Sequence, residues 1–397
     1  MRFKEFKEYK KGSDGQAKGK DKMPKAKPGR KEHPLKGKLV GESLTEAAKV
    51  GREYNHVEDL VFIDGSEGAN KAADIIEKLG SDSGDVAIKW DGNPTIYWGR
   101  EDNGKFVLVG KNGWGRNKSN SAEDLANFIK NSGKGEEWRE KFGNDMAAIF
   151  TLMEASTPKD FRGFVYGDLL YHPGKSFSTT DGAVEFTPNL VTYTVDTKGP
   201  LGERIAKSKV GVVVHTKFDE FGGKTGTPIS DVKELNSNDV VVLGQTYVAH
   251  QPKVDTSEVK EIRAMVQKNG QAIDQFLAPV KGLSDMKNII YTYVNQMTRA
   301  RNLDNLENGF FDWLKNSKVS ANKQAKIADM NEQMPKALPA IFALVKRIMT
   351  VKNHIIDQLD DADADVKQST KGEKGGEGYV ALDTKTKLVP RSRWQPN

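Results

Sequence analysis

Val86-Ala-Ile-Lys-Trp-Asp-Gly-Asn-Pro94 is the stretch on which the reading of the whole chain turns. An apolar run of β type delivers Lys89 to the edge of a polar turn, Asp91 follows two residues on, and Gly92 frees the backbone. An amine held at a strand end becomes a nucleophile when burial or neighbouring cations favour its neutral form. A lone K-x-D-G also describes a surface lysine beside a turn, so the rest of the chain must supply partners for Lys89.

Working outward, Thr95-Ile-Tyr-Trp98 and Lys105-Phe-Val-Leu-Val109 read as strands joined by an Asn103-Gly104 hairpin turn, and with Val86–Trp90 they predict an antiparallel meander. The last strand ends in Gly110-Lys-Asn-Gly-Trp-Gly115, which puts Lys111 at a sheet end. Residues 117–160 read as charged helices, with Ser121-Ala-Glu-Asp as a cap. Upstream, Leu44–Lys49 predicts a short helix. The apolar run and Asp-Gly turn of Asn55–Gly65 then lead into a helix whose inner face is Ala69, Ala72, Ala73, Ile76 and Leu79.

Downstream, Phe161–Tyr171 is an apolar strand interrupted by Gly167-Asp168. A carboxylate among such residues needs a partner, because burying it alone is costly. Glu185–Val195 and Val210–His215 read as further strands, with a helix at Leu201–Lys207 between them. His215 has no companion at metal-ligand spacing and reads as a hydrogen-bonded core or rim histidine. From 251 to 365 the period becomes 3.6. Ile289, Ile290, Tyr293, Val294 and Met297 line one face, and Leu338, Ile341, Phe342, Val345, Ile348 and Met349 line another. The acidic run Asp357–Asp365 marks a loop. Beyond it Gly376–Val389 predicts two strands turning near Asp383, with Lys385 and Lys387 on one face by alternation.

Composition bounds the class. A chain of 397 residues with 37% hydrophobic content holds one large domain with an insertion, or two or three domains. The absence of cysteine removes disulfides and thiolate chemistry and suits a reducing cytoplasm. No apolar run is long enough for a bilayer, so no membrane partner is expected. Residues 1–38 carry fourteen Lys or Arg against five Asp or Glu, a charge of +9, so the remainder holds −3 of the net +6. Such an arm, poor in large apolar groups, is expected to be disordered and to suit a polyanion; a solvated tail without a partner fits equally.

Five of these elements, in order, resemble the motifs of the covalent nucleotidyltransferases, the superfamily of ATP-dependent DNA and RNA ligases and capping guanylyltransferases. Lys89-Trp-Asp-Gly92 is similar to the first motif, K-x-D-G. Lys111-Asn-Gly113 resembles the S/T-R-x-G element with Lys for Arg, and Tyr166-Gly-Asp168 resembles F/Y-x-G-E with Asp for Glu. Glu377-Gly-Tyr-Val-Ala381 is similar to the fourth motif in its phage RNA-ligase form, and Lys385-Thr-Lys387 to the fifth, K-x-K. The resemblance covers residues 55–250 and 370–390. Met-Arg-Phe-Lys-Glu-Phe at the start and the general layout are also similar to ligase-like proteins of large tailed bacteriophages, which would place the protein in the host cytoplasm.

The resemblance implies an α+β fold. Its antiparallel-sheet nucleotidyltransferase core would be formed by 41–250 plus 366–397, with an inserted helical module at 251–365 and the basic arm at 1–40. It implies a polynucleotide ligase, of the RNA-joining kind since ten residues after Lys387 leave no room for an OB domain. ATP and Mg²⁺ (or Mn²⁺) would be required, and the partner would be a nucleic acid with 5′-phosphate and 3′-hydroxyl ends. Lys89 would carry AMP and Lys385 and Lys387 would assist at the α-phosphate. Glu377 and Asp91 would hold the metal, while Asp91, Gly92, Lys111, Asp168 and Tyr193 contact the nucleotide, Tyr193 (or Phe186) by stacking on adenine. The alternatives are a capping-type guanylyltransferase and a non-catalytic nucleic-acid-binding or virion-associated protein of ligase-like fold.

Overall fold

The computed structural model describes residues 55–391 except 82–85, 133–135, 181, 230, 249, 301 and 363–364. The predicted basic arm and the helix at Leu44–Lys49 lie outside the described residues. In chain order the first elements are β1 (Asn55–His56), α1 (Leu60–Leu79), β2 (Val86–Ile88), β3 (Thr95–Arg100), β4 (Phe106–Gly110), α2 (Ala122–Asn131) and α3 (Glu137–Ser156). Then come β5 (Gly163–Tyr171), β6 (Ser178–Thr180), β7 (Ala183–Phe186), β8 (Val191–Asp196), α4 (Pro200–Lys207), β9 (Val210–Phe218), β10 (Thr227–Pro228) and β11 (Val240–Leu243). Five helices follow, α5 (Thr256–Leu277), α6 (Met286–Arg299), α7 (Leu306–Asn316), α8 (Ala321–Gln333) and α9 (Ala337–Asp361). The chain ends in β12 (Val366–Thr370), β13 (Glu373–Lys374), β14 (Tyr379–Ala381) and β15 (Thr386–Leu388). This is a mixed α and β fold with several antiparallel sheets, in which β1 pairs with β15, and β9 with β11, in parallel. No helix among the described residues is long and apolar enough to cross a membrane.

The chain divides into two compact units. The first holds Gly92–Asn189 and Asp196–Gly244, and its sheet runs β10-β9-β5-β3-β4 with β11 alongside β9. Strand alternation sorts its side chains. Ile96, Trp98, Phe106, Leu108, Val165, Leu169, Val212 and Val214 point to one face, where Leu125 of α2 and Met146, Ile149, Phe150 and Met153 of α3 cover them. Each such side chain fully removed from water contributes about 1.5–3 kcal/mol. The predicted cap is present: Ser121 Oγ accepts the Asp124 N–H at 3.0 Å. The other face carries Tyr97, Val107, Val109 and Phe164. Tyr97 stacks on Trp114 at 4.3 Å and on Tyr166 at 5.1 Å.

Among the described residues, the second unit holds 55–91, Leu190–Val195 and 245–391. Its sheet runs β1-β15-β14-β2, and β8 pairs separately with β12. Val86, Tyr379, Ala381 and Leu388, on one face of that sheet, share a single hydrophobic core with α1 and with α5 to α9. The stripes predicted for α6 and α9 are buried here; only Met297 is partly exposed. The Asp-Gly turn expected before α1 is a kink inside it, with Gly65 at φ 61°. Asp274 of α5 accepts the Ser66 N–H at 2.7 Å and the Ser66 hydroxyl at 2.6 Å, which restarts the helix.

Four expectations are corrected. The β2 strand does not join the β3–β4 meander, because both its edges are taken in the second unit. On one side lies β14; on the other, Ile88 N–H donates to Thr246 O and Val248 N–H to Val86 O. The single strand predicted over Glu185–Val195 is broken between Phe186 and Val191 into β7 and β8. The acidic run does not begin as a loop, since Ile355, Ile356 and Leu359 keep the helical period buried and carry α9 to Asp361. Lys385 does not lie in a strand: it closes the turn before β15 at φ 51°.

Candidate functional site

Lys89 leaves the end of β2, where its own N–H donates to Gly378 O at 3.0 Å. That bond fixes the backbone of the Gly376–Gly378 turn beside the lysine. The result is a direct ion pair between Lys89 Nζ and Glu377 Oε1, residues 288 apart in sequence. Burial, reinforced by the charge of Asp91, lifts the Glu377 carboxyl above its ordinary range, and Lys89 and Lys387 pull against this. Lys387 therefore bears on the same carboxylate as Lys89.

Strand pairing places Lys387 on a definite face. Val380 stands opposite both Ala87 and Lys387, and His56 stands opposite Lys387. Paired residues share a face, here the one opposite the helical core. Lys385, exposed in the turn with its carbonyl accepting the Asn55 N–H at 3.3 Å, stands outside this alternation. The expected pair of ammonium groups on one face is thus reduced to Lys387, and its companion there is Lys89.

Asp91 and Tyr193 have other work. Asp91 Oδ2 accepts the N–H groups of Leu190 at 2.8 Å and Val191 at 3.2 Å, which staples the start of β8. The Asp91 N–H donates to the Tyr193 hydroxyl at 2.6 Å, and the Tyr193 ring lies against Trp90 with centroids 4.5 Å apart. Tyr193 is 0% exposed, so it presents no ring face to a base; the expected adenine contact is replaced by a core role. Phe186, at 2% exposed, is likewise buried and packs on Tyr171.

The remaining predicted residues lie in the first unit. The chain crosses between the units at the Asp91–Gly92 peptide, inside the K-x-D-G stretch. Gly92 lies so close to Asp168 that a Cβ there would meet the Asp168 Cβ at 2.6 Å, which accounts for glycine at this position. Asp168 stands opposite Thr95 across β3 and β5. Its Oδ1 accepts the Thr95 hydroxyl at 2.6 Å and its Oδ2 pairs with His215 Nε2 at 3.1 Å. Those are the partners its position demands, and His215 is the rim histidine expected. Lys111, exposed, follows Gly110 at the same end of the sheet.

Two residues, His56 opposite Lys387 and Tyr247 opposite Ala87, went unread in the sequence. His56 is held well below its usual pKa by burial, by Arg391 and Lys352, and by Lys387 and Lys89 beyond them. Its Nδ1 is buried without a hydrogen-bond partner. Tyr247 is 54% exposed and bridges to Ala87. A two-residue strand and an isolated bridge have no periodicity, so no sequence signal marks either position.

Among the described residues no group of three or more His, Asp or Glu side chains is arranged to hold a metal ion. Mg²⁺ is commonly held by one or two carboxylates completed by phosphate oxygens and water. Glu377 suits that mode, whereas Asp91 commits Oδ2 to two backbone N–H groups. No curated protein and no solved structure matches the chain. The model of a family of unknown function, DUF6267, matches residues 53–395, and the chain belongs to that family.

Proposed function

We propose that this protein is an ATP-dependent nucleotidyltransferase that forms a lysine–AMP intermediate and passes AMP to the 5′-phosphate of a nucleic acid, RNA by preference, for joining to a 3′-hydroxyl. The observation that carries this reading is the ion pair between Lys89 and Glu377, with Lys387 bearing on the same carboxylate. Ammonium groups gathered around one lifted carboxylate have little value for folding. They suit an anionic substrate and a proton transfer.

In this reading Lys89 Nζ attacks the α-phosphorus of ATP, an N–P bond forms, and pyrophosphate departs with the electrons of the broken P–O bond. The attacking amine must shed a proton. Glu377, in contact with it and raised above an ordinary carboxylate, is positioned to accept it. Lys387 stabilises the charge that builds on the α-phosphate oxygens. Glu377 is also the side chain that would hold Mg²⁺, which supplies charge neutralisation for the phosphates when bound. The basic segment 1–38 would add sequence-independent phosphate contacts.

The test is covalent labelling. Purified protein incubated with α-³²P-ATP and Mg²⁺ should carry label through denaturing electrophoresis, and Lys89→Ala should carry none. Lys387→Met should label at least about tenfold less, in line with loss of one transition-state contact. Label from GTP in place of ATP would indicate a capping-type guanylyltransferase instead. An unlabelled wild type, or undiminished label on Lys89→Ala, would overturn the reading.

A further inference from the structure

The strand that carries Lys387 is held by little of its own. β15 is three residues long and pairs with two residues of β1 and three of β14. Its sequence also specifies the register weakly. Thr386 and Leu388, at 3% and 0% exposed, face the core, but Thr386 is only partly apolar, and Leu388 is followed by Val389, an apolar residue able to fill the same inner position. A slip of one residue would carry Lys387 from the face turned away from the helical core to the core face.

Just past the ends of these strands lies a buried group of charges. β1 and β15 are parallel, with His56 opposite Lys387, so the residues that follow them run on in the same direction. Glu58 and Asp59 come soon after His56, and Arg391 soon after Lys387. The Arg391 guanidinium pairs with Asp59, donates to Asn295 Oδ1 of α6 and lies over the Tyr291 ring at 5.8 Å, with Nε 2.9 Å from Glu58 Oε1. Lys352 of α9 reaches that same oxygen at 2.7 Å. Burying charges costs nearly what their pairing returns, so such a cluster adds little net stability over apolar side chains of the same size. What it adds is geometry. The partners of Arg391 are fixed on α6, on α9 and at the start of α1, and a slip of one residue, about 3.3 Å along the strand, exceeds what a hydrogen bond tolerates and leaves buried charge unpaired.

We infer that the buried cluster of Arg391, Asp59, Glu58 and Lys352 is a register lock for β15, and that Arg391 is thereby a positioning residue that keeps Lys387 on the face turned away from the helical core. The use of that placement rests on the proposed reaction, in which Lys387 acts at the α-phosphate. The lock itself stands on the strand lengths, the apolar pattern and the buried contacts alone.

The register is read without nucleotide, so its outcome is separate from the labelling of Lys89. The chain has no cysteine, so an introduced pair oxidises without competitors. Val380 stands opposite Lys387. Opposite residues of an antiparallel pair lie within disulfide range, whereas after a slip of one residue the two side chains point to opposite faces. The full-length Val380→Cys/Lys387→Cys protein should therefore form the internal disulfide almost completely, and adding Arg391→Met should lower the oxidised fraction at least about twofold. A second background, Glu58→Leu/Asp59→Asn/Lys352→Met/Arg391→Met, removes every charge of the cluster. It should keep a urea midpoint close to that of the parent while losing the disulfide to the same extent, a separation that a merely structural cluster would not give. With Lys387 in place, Arg391→Met should lower ATP labelling, and it should lower it no further in the Lys387→Met background. A disulfide formed as fully in both backgrounds as in the parent, a register lost only in step with a falling urea midpoint, or an Arg391→Met effect that adds in full to that of Lys387→Met would overturn the inference. An unlabelled wild type removes the proposed reaction and leaves the lock to be judged by the disulfide and the urea midpoint.

Discussion

Replacing Lys352 with methionine should strand a buried carboxylate. Lys352 enters from α9 and its Nζ lies 2.7 Å from Glu58 Oε1, with both side chains fully shielded from solvent. Arg391 Nε lies 2.9 Å from the same oxygen, and its guanidinium also pairs with Asp59. Burial works to raise the Glu58 pKa, but Lys352 and Arg391 outweigh it and hold the carboxyl below its usual range. Asp59, buried and next to the charge of Glu58, is pushed up to about 6. Removing one member of a buried pair costs about 3–5 kcal/mol, because the other charge is left without compensation. Arg391 stays close to Glu58, so the low end, about 3 kcal/mol, is expected, and methionine keeps enough volume that little of this is cavity. The double variant Glu58→Leu/Lys352→Met removes both charges and leaves the Arg391–Asp59 pair intact. It should recover to within about 1 kcal/mol of wild type. Hydrogen exchange at α1 and α9 reads this in the correct unit: about 3 kcal/mol corresponds to exchange roughly a hundredfold faster for Lys352→Met. Exchange unchanged in the single variant, or a double variant as damaged as the two singles combined, would refute the reasoning.

Arg100 donates to four carbonyls, Pro158 and Thr157 at 2.8 and 2.9 Å and Gly104 and Glu154 at 3.1 Å, so Arg100→Met should cost about 2–3 kcal/mol, read as a lower urea midpoint for the first unit. Burial lowers the His172 pKa from 6.5 to about 4, so the unfolded chain binds the extra proton first. Stability from this residue is complete above about pH 6.5 and is lost progressively as pH falls to about 4, by about 3 kcal/mol, and His172→Gln should flatten that limb of the stability profile. Asp91→Asn keeps an oxygen for the Leu190 and Val191 N–H groups and should fold and label with ATP, whereas Asp91→Ala should lose about 1–3 kcal/mol; an unlabelled, folded Asn variant would mean that the charge itself is needed.

What the sequence displayed was local. Apolar runs bounded by turns located β3, β4 and β5, and the 3.6 period located α6 and α9. The Ser121 cap and the turn at Asp383 were readable because their hydrogen bonds close within a few residues. The partners of β2 were not readable, since they come from 246–248 and 378–381, and no pattern inside Val86–Trp90 distinguishes those edges from a neighbouring hairpin. Lys385 misled for a related reason: a rule of alternation presumes extended backbone, and a residue at φ 51° has left the strand before the rule applies.

The three residues Lys89, Asp91 and Gly92 then divide their labour in a way that explains why they are adjacent. Lys89 follows a strand whose two edges are already saturated, and its own N–H is taken by Gly378 O, so its side chain is what remains to be used, and it meets Glu377. Asp91 ties down the start of β8, and Gly92 lets the chain pass against Asp168. Each neighbour thus restrains the backbone within three residues of the amine. A lysine beside an ordinary surface turn has no comparable restraint and loses its rotamer freedom only if something repays the cost. Here the backbone is already ordered by contacts that hold whether or not a substrate binds, so placing Nζ against an α-phosphate would require ordering only the lysine side chain.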